Sequence, residues 1–193
     1  IRNFFEKKRV NKRKTKKNYN IFFIGRLEAN KDPIFFVKSL IKIKNHNFKL
    51  NIVGEGSEKI KLLNLKNSYK NVKVKLFGYV NNPFKKFHKI IDLFCLTSKF
   101  DGTPNVLGEA ISYKIPCIAP KSVGSANELL GNGKFGNLYL PRNEKSFRNS
   151  VTKTLTNYQS YIRKAEKAYI NLNLYSKKNT LEKLDKTIIK LLG

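Results

Sequence analysis

Two acids, Asp101 and Glu109, stand eight residues apart in the run Phe100-Asp101-Gly102-Thr103-Pro104-Asn105-Val106-Leu107-Gly108-Glu109-Ala110. An apolar, strand-like stretch from Leu93 to Thr97 leads into this run, and a helix follows it. Thr103 is expected to cap that helix, with Pro104 in its first turn. A strand, a glycine-containing turn and an open helix N-terminus expose backbone N–H groups that attract phosphate. On a helix wheel Val106, Leu107, Ala110 and Ile111 share a core-facing arc, while Asn105, Glu109 and Ser112 lie on the polar flank. Glu109 is then close enough to the helix start to accept hydrogen bonds from sugar hydroxyls. A ligand that carries both phosphate and hydroxyls is a nucleotide or a nucleotide sugar. The plainer alternative is a turn aspartate and a solvated glutamate.

Three further turns bear polar or glycine residues. Gly25-Arg26-Leu27-Glu28-Ala29-Asn30-Lys31-Asp32 follows the first apolar run. Arg26 and Lys31 would clamp a diphosphate there, although two cations in one loop also arise by chance in so basic a chain. Gly54-Glu55-Gly56-Ser57 follows the second run; it reads either as a phosphate-binding turn or as a tight strand-to-helix turn without the third glycine of the dinucleotide fingerprint. Phe77-Gly78-Tyr79-Val80 follows the third and either borders a flat base or is a surface turn. Ser125 and Glu128 have the spacing of a capping box. His46 and His88 fall on predicted helices and receive no role.

The elements that must position these residues alternate. Strands are predicted at 20–24, 48–53, 72–77, 92–97 and 116–119, with a short sixth at 138–140. Helices are predicted from Asp32-Pro33 to about Lys44, at 57–68, from Pro83 through Ile91 and at 104–113. Three more helical patterns follow near 144–158, 160–171 and 177–191. Continuous apolar strands alternating with helices predict a mainly parallel sheet covered on both faces, a Rossmann-like three-layer α/β/α architecture of about six strands with C-terminal helices. In such sheets ligands bind beyond the carboxyl ends of the strands, where the glycine-bearing turns lie. The expected organisation is a basic arm over 1–18, a sheet domain over 19–142 and helices packed on it over 143–193.

The composition narrows the field. The chain has 193 residues, 40% of them apolar, with 40 basic and 13 acidic residues and a net charge of +27. The densest basic run, Lys7 to Lys17, lacks interleaved aromatics and so offers no base-stacking platform. It reads as a solvated arm or as a contact for an anionic membrane surface, and no nucleic-acid partner is expected. No stretch has the ~20 apolar residues of a membrane span, which points to a cytoplasmic location, peripheral at most to the membrane. Cys95 and Cys117 are expected to be buried, reduced thiols, and their spacing suggests no metal site. The chain contains no Met and starts at Ile1, as expected of a piece of a longer protein.

Taken in order, Gly25-Arg26-Leu27 with Lys31, Val53-Gly54-Glu55-Gly56, Phe77-Gly78-Tyr79-Val80 and Asp92 to Ala119 resemble the C-terminal, nucleotide-sugar-binding domain of the retaining GT-B glycosyltransferases of family four. The resemblance covers about Tyr19 to Pro141. It implies one half of a GT-B fold that binds a nucleotide-diphospho-sugar donor, UDP-linked by expectation. The sugar, a hexose or N-acetylhexosamine, would pass with retention to a glycan or lipid-linked acceptor, as in lipopolysaccharide or capsule synthesis, without a metal or other cofactor. Arg26 and Lys31 match the diphosphate pair, Glu109 the acid that holds the ribose, and Asp101 the acid that touches the donor sugar. Gly25, Gly54, Gly56, Gly102, Thr103, Pro104, Asn105 and Val106 would line the site, and Tyr79 and Val80 would border the base. Two positions depart from the family pattern: Asp101 stands where Glu is usual, and Asp32 where Gly is common. The acceptor would be held by an N-terminal domain not present here, so the chain alone is expected to bind donor without turnover. The alternative is a non-catalytic nucleotide-sugar-binding domain.

Overall fold

The computed structural model of the chain describes residues 18–68, 73–121 and 123–172, together with 181, 185, 188 and 189. Six strands, β1 (Tyr19–Ile24), β2 (Phe48–Val53), β3 (Lys73–Leu76), β4 (Leu93–Cys95), β5 (Cys117–Pro120) and β6 (Asn137–Tyr139), form one sheet in the order β3-β2-β1-β4-β5-β6. Every adjacent pair is parallel, as the apolar runs predict. Helices α1 (Pro33–Leu40), α2 (Lys59–Ser68), α3 (Pro83–Phe87), α4 (Asn105–Ser112), α5 (Ala126–Leu129), α6 (Glu144–Thr156) and α7 (Tyr158–Asn171) flank it. Two apolar cores lie on its two faces. One joins Phe36 and Leu40 of α1, Leu62 of α2 and Phe147, Val151 and Leu155 of α6 to the sheet. The other joins Phe84 and Phe87 of α3, Leu107, Ala110 and Ile111 of α4 and Ala126 and Leu129 of α5. Helix α7 serves both, with Tyr158 and Ile162 in the first core and Ala168 in the second. Its Tyr158 hydroxyl donates to the Asp92 backbone oxygen at 3.2 Å, and the Asp92 carboxylate accepts from Asn20 N at 2.9 Å, so this buried acid fixes the amino end of β4.

Several local expectations change. Helix α1 stops at Leu40, short of Lys44, and His46 lies in the loop before β2. Helix α3 is only five residues long. Helix α4 begins at Asn105 with Pro104 at the cap position and no side-chain cap, so Thr103 does not cap it. Ser125 occupies the cap position of α5 but makes no capping hydrogen bond, and its Oγ is buried without a partner among the described residues; the capping box is not formed. Ser112 is buried rather than on the polar flank, because its hydroxyl turns back to donate to Glu109 O at 2.7 Å. The third C-terminal helical pattern and the basic run Lys7 to Lys17 lie largely outside the described residues. Cys95 and Cys117 are both buried free thiols, and burial, with Cys117 beside it, pushes the Cys95 thiol well up.

Candidate functional site

Strand order reverses between β1 and β4, and the chain leaves these neighbours toward opposite faces, opening a crevice at their carboxyl ends. The crevice, about 180 Å³, is walled by Gly25 and Lys31 after β1, Thr97, Ser98 and Asp101 after β4, and Thr103, Asn105 and Val106 at the start of α4. At its centre Lys31 Nζ donates to Asp101 Oδ2 at 2.6 Å, with both side chains largely shielded from solvent. Helix α4 starts at this crevice without a side-chain cap, so its positive end faces the crevice. The Ser98 hydroxyl in the same wall is buried and has no hydrogen-bond partner among the described residues.

The remaining expected site residues ring this crevice rather than line it. Arg26 is exposed in the turn beside Gly25 and makes no ion pair among the described residues. Glu109 is exposed one turn along α4, and the protein around it still raises its carboxyl pKa by desolvation. Gly102 and Pro104 belong to the turn between them. Gly54 and Gly56 lie farther along the same edge and have packing tasks of their own. A Cβ on Gly54 would stand 1.9 Å from Gly25 O, and Gly54 has φ +145, so only glycine lets the turns after β1 and β2 touch backbone to backbone. Gly25 N donates to Val53 O at 3.0 Å and Gly54 N to Gly78 O at 2.8 Å, which ties the turns after β1, β2 and β3 into one rim. Tyr79, 76% exposed, stands on that rim, and Val80 tucks against the core.

Sequence reasoning missed three supports. Gly124, at φ +49, brings the turn after β5 against the 101–102 turn, where a Cβ would meet Gly102 O at 1.9 Å and Asp101 O at 2.2 Å. Asn30 and Thr97 tie the turns after β1 and β4 together by hydrogen bonds across the sheet edge. Nothing in composition or spacing announces these contacts, which exist only once the turns meet; a glycine so soon after a strand was the one available signal. Wider hollows elsewhere, one at the amino ends of β1–β3 beside His46 and one along α6, gather none of the expected site residues. Among the described residues no three His, Cys, Asp or Glu side chains are placed to hold a metal ion. No helix among them is long and apolar enough to cross a membrane.

A parallel sheet in this order with its polar crevice at the reversal point is a Rossmann-like α/β domain. The chain belongs to the family of glycosyl transferases group 1, whose model matches residues 4–171. It is 35% identical over 127 residues to the N-acetylgalactosamine-N,N'-diacetylbacillosaminyl-diphospho-undecaprenol 4-alpha-N-acetylgalactosaminyltransferase of Campylobacter jejuni, covering 65% of this chain and 34% of that protein. It shares its fold with the apo form of the lipopolysaccharide outer core galactosyltransferase WaaB, with a TM-score of 0.83 at 20% identity over 97% of this chain and 54% of that one. The Anabaena Alr3699/HepE protein in complex with UDP superposes with a TM-score of 0.78 at 20% identity over 90% of this chain and 49% of that one. The sheet is therefore one half of a GT-B architecture. The chain spans about a third of the length of the curated relative and about half of these structures.

Proposed function

We propose that the chain is the donor-binding half of a glycosyltransferase and takes a nucleotide-diphospho-sugar, UDP-linked, at the β1–β4 crevice. The observation that carries this reading is the meeting of Lys31, Asp101 and the uncapped start of α4 at the reversal point of the sheet. Cation, acid and helix terminus meet there as a phosphorylated sugar requires. In this reading the diphosphate lies against Lys31, Arg26 and the α4 amides. The donor sugar faces Asp101 with Ser98 beside it, the ribose hydroxyls bond to Glu109, and the base lies along the rim near Tyr79 and Val80. As the bond from the anomeric carbon to the diphosphate oxygen lengthens, negative charge grows on the leaving group and positive charge on the sugar. Lys31, Arg26 and the helix terminus stabilise the first, so the protein itself supplies the electrostatics and no metal is required. An acceptor hydroxyl that attacks from the leaving-group side, passing its proton to the departing diphosphate oxygen, gives retention.

The acceptor, a glycan or lipid-linked saccharide, would be held by a second domain, in keeping with the greater length of the relatives and with the undecaprenol-linked substrate in the name of one of them. The basic surface, with a net charge of +27, would hold the protein at an anionic cytoplasmic membrane face. The chain by itself then binds donor without turnover. A thermal-shift panel with UDP, GDP, ADP and UDP-sugars tests the reading. Ligand at ~100 times its dissociation constant adds about 2.7 kcal/mol of stability. A shift with one nucleotide, lost in Glu109→Ala, is the expected result; no shift with any of them sinks it.

A further inference from the structure

We propose that Asn30 is a positioning residue for the donor site: its side-chain amide clips the backbone of Phe100 and so sets Lys31 against Asp101. The inference rests on the donor-site reading above. Asn30 Nδ2 donates to Phe100 O at 3.1 Å, and Phe100 N donates back to Asn30 Oδ1 at 3.2 Å. One planar amide therefore pairs with both polar groups of a residue seventy positions away, as a neighbouring strand would. The Asn30 backbone adds a third bond, accepting from Lys99 N at 2.8 Å. The places of the two partners give the clip its function. Asn30 immediately precedes Lys31, and Phe100 immediately precedes Asp101. The clip fixes both backbones one residue away from the 2.6 Å ion pair between Lys31 and Asp101. The Thr97 hydroxyl, donating to Lys31 O at 2.9 Å and Asp32 O at 3.2 Å, fixes the far side of Lys31.

The chemistry selects Asn. A carboxylate here would accept from Phe100 N but set its second oxygen against Phe100 O, and alanine would make neither bond. Asn30 is exposed and belongs to neither apolar core, so its removal leaves the packing in place. Its side-chain bonds therefore bear on where Lys31 and Asp101 stand rather than on whether the chain folds.

Binding, stability and structural measurements on Asn30→Ala test this. Affinity for UDP should fall about tenfold, the scale of two lost hydrogen bonds acting on one phosphate contact. Affinity for UMP, which has no second phosphate for Lys31, should change less than about twofold, and the melting temperature should hold within a few degrees. In a cycle with Lys31→Ala, the Asn30 effect on UDP should largely vanish, because it acts through Lys31. Equal losses for UDP and UMP, or full additivity in the cycle, would overturn the proposal. A crystal structure of Asn30→Ala decides the matter independently of nucleotide. Separation of Lys31 from Asp101 is expected, and a pair still within hydrogen-bond distance refutes the clip. If the unaltered chain binds no UDP, the donor-site reading fails, while that structure still judges Asn30.

Discussion

At the scale of single residues, Glu109 joins exposure to a raised pKa, and the two together give a signature. Desolvation favours its neutral form, so its proton is held to a higher pH than that of an ordinary glutamate. In the proposed role the carboxylate must be ionised to accept from ribose hydroxyls. Affinity for a nucleotide sugar should therefore be full above the raised pKa and fall as pH drops through it. Glu109→Gln should abolish that acid limb, which isothermal titration across pH 4–7 would reveal. Glu109→Ala should cost less than about 0.5 kcal/mol of stability, as for other exposed positions. The sequence exposed both acids because their spacing and surroundings are local facts. The family departure at Asp32 also has a local cause. Asp32 has φ 52, where glycine is at ease, and its carboxylate accepts from Phe35 N to cap α1, so Asp tolerates the backbone and stabilises the helix start. Asn30 and Ser98 stayed hidden because their significance lies in what another turn places against them.

At the scale of elements, the turns carry more of the site than the helices do. Gly124→Ala should force the turn after β5 away from the 101–102 turn, since a Cβ there would stand 1.9 Å from Gly102 O and leave no room for a methyl group. A loss of about 2–4 kcal/mol is expected, from steric conflict and a left-handed backbone together. Urea denaturation measures it, and nucleotide binding should weaken in parallel because Asp101 is displaced. A Gly124→Ala protein with unchanged stability would show that the turn relaxes freely. The strands were legible in the sequence as short apolar runs, the first three of them closed by Gly25, Gly54 and Gly78, and their ends moved by only a few residues. The caps were less legible. Thr103 and Ser125 have the right side chains for capping, but Pro104 takes the cap position of α4 and the Ser125 hydroxyl is buried without a hydrogen bond among the described residues.

At the scale of the whole molecule, alternation of strands and helices implied the three layers and the parallel sheet, while the order in which the strands pair came from the structure alone. The charge belongs to this scale as well. If the basic surface holds the protein at an anionic membrane, it should cosediment with vesicles containing about 30% anionic lipid at low salt and be released near 0.5 M salt, where the Debye length shrinks to a few ångströms. Vesicles of neutral lipid should not retain it. A chain of net charge +27 would meet every polyanion in its surroundings, from free phosphate to nucleic acid. The Lys31–Asp101 pair gives its crevice a means of refusal. Asp101 beside Lys31 partly repels a bare anion, while the further N–H groups of the Lys31 ammonium still offer themselves to a phosphate without breaking the pair. In the proposed role a sugar diphosphate also offers hydroxyls to the aspartate, so this crevice would favour a nucleotide sugar over an anion that offers charge alone.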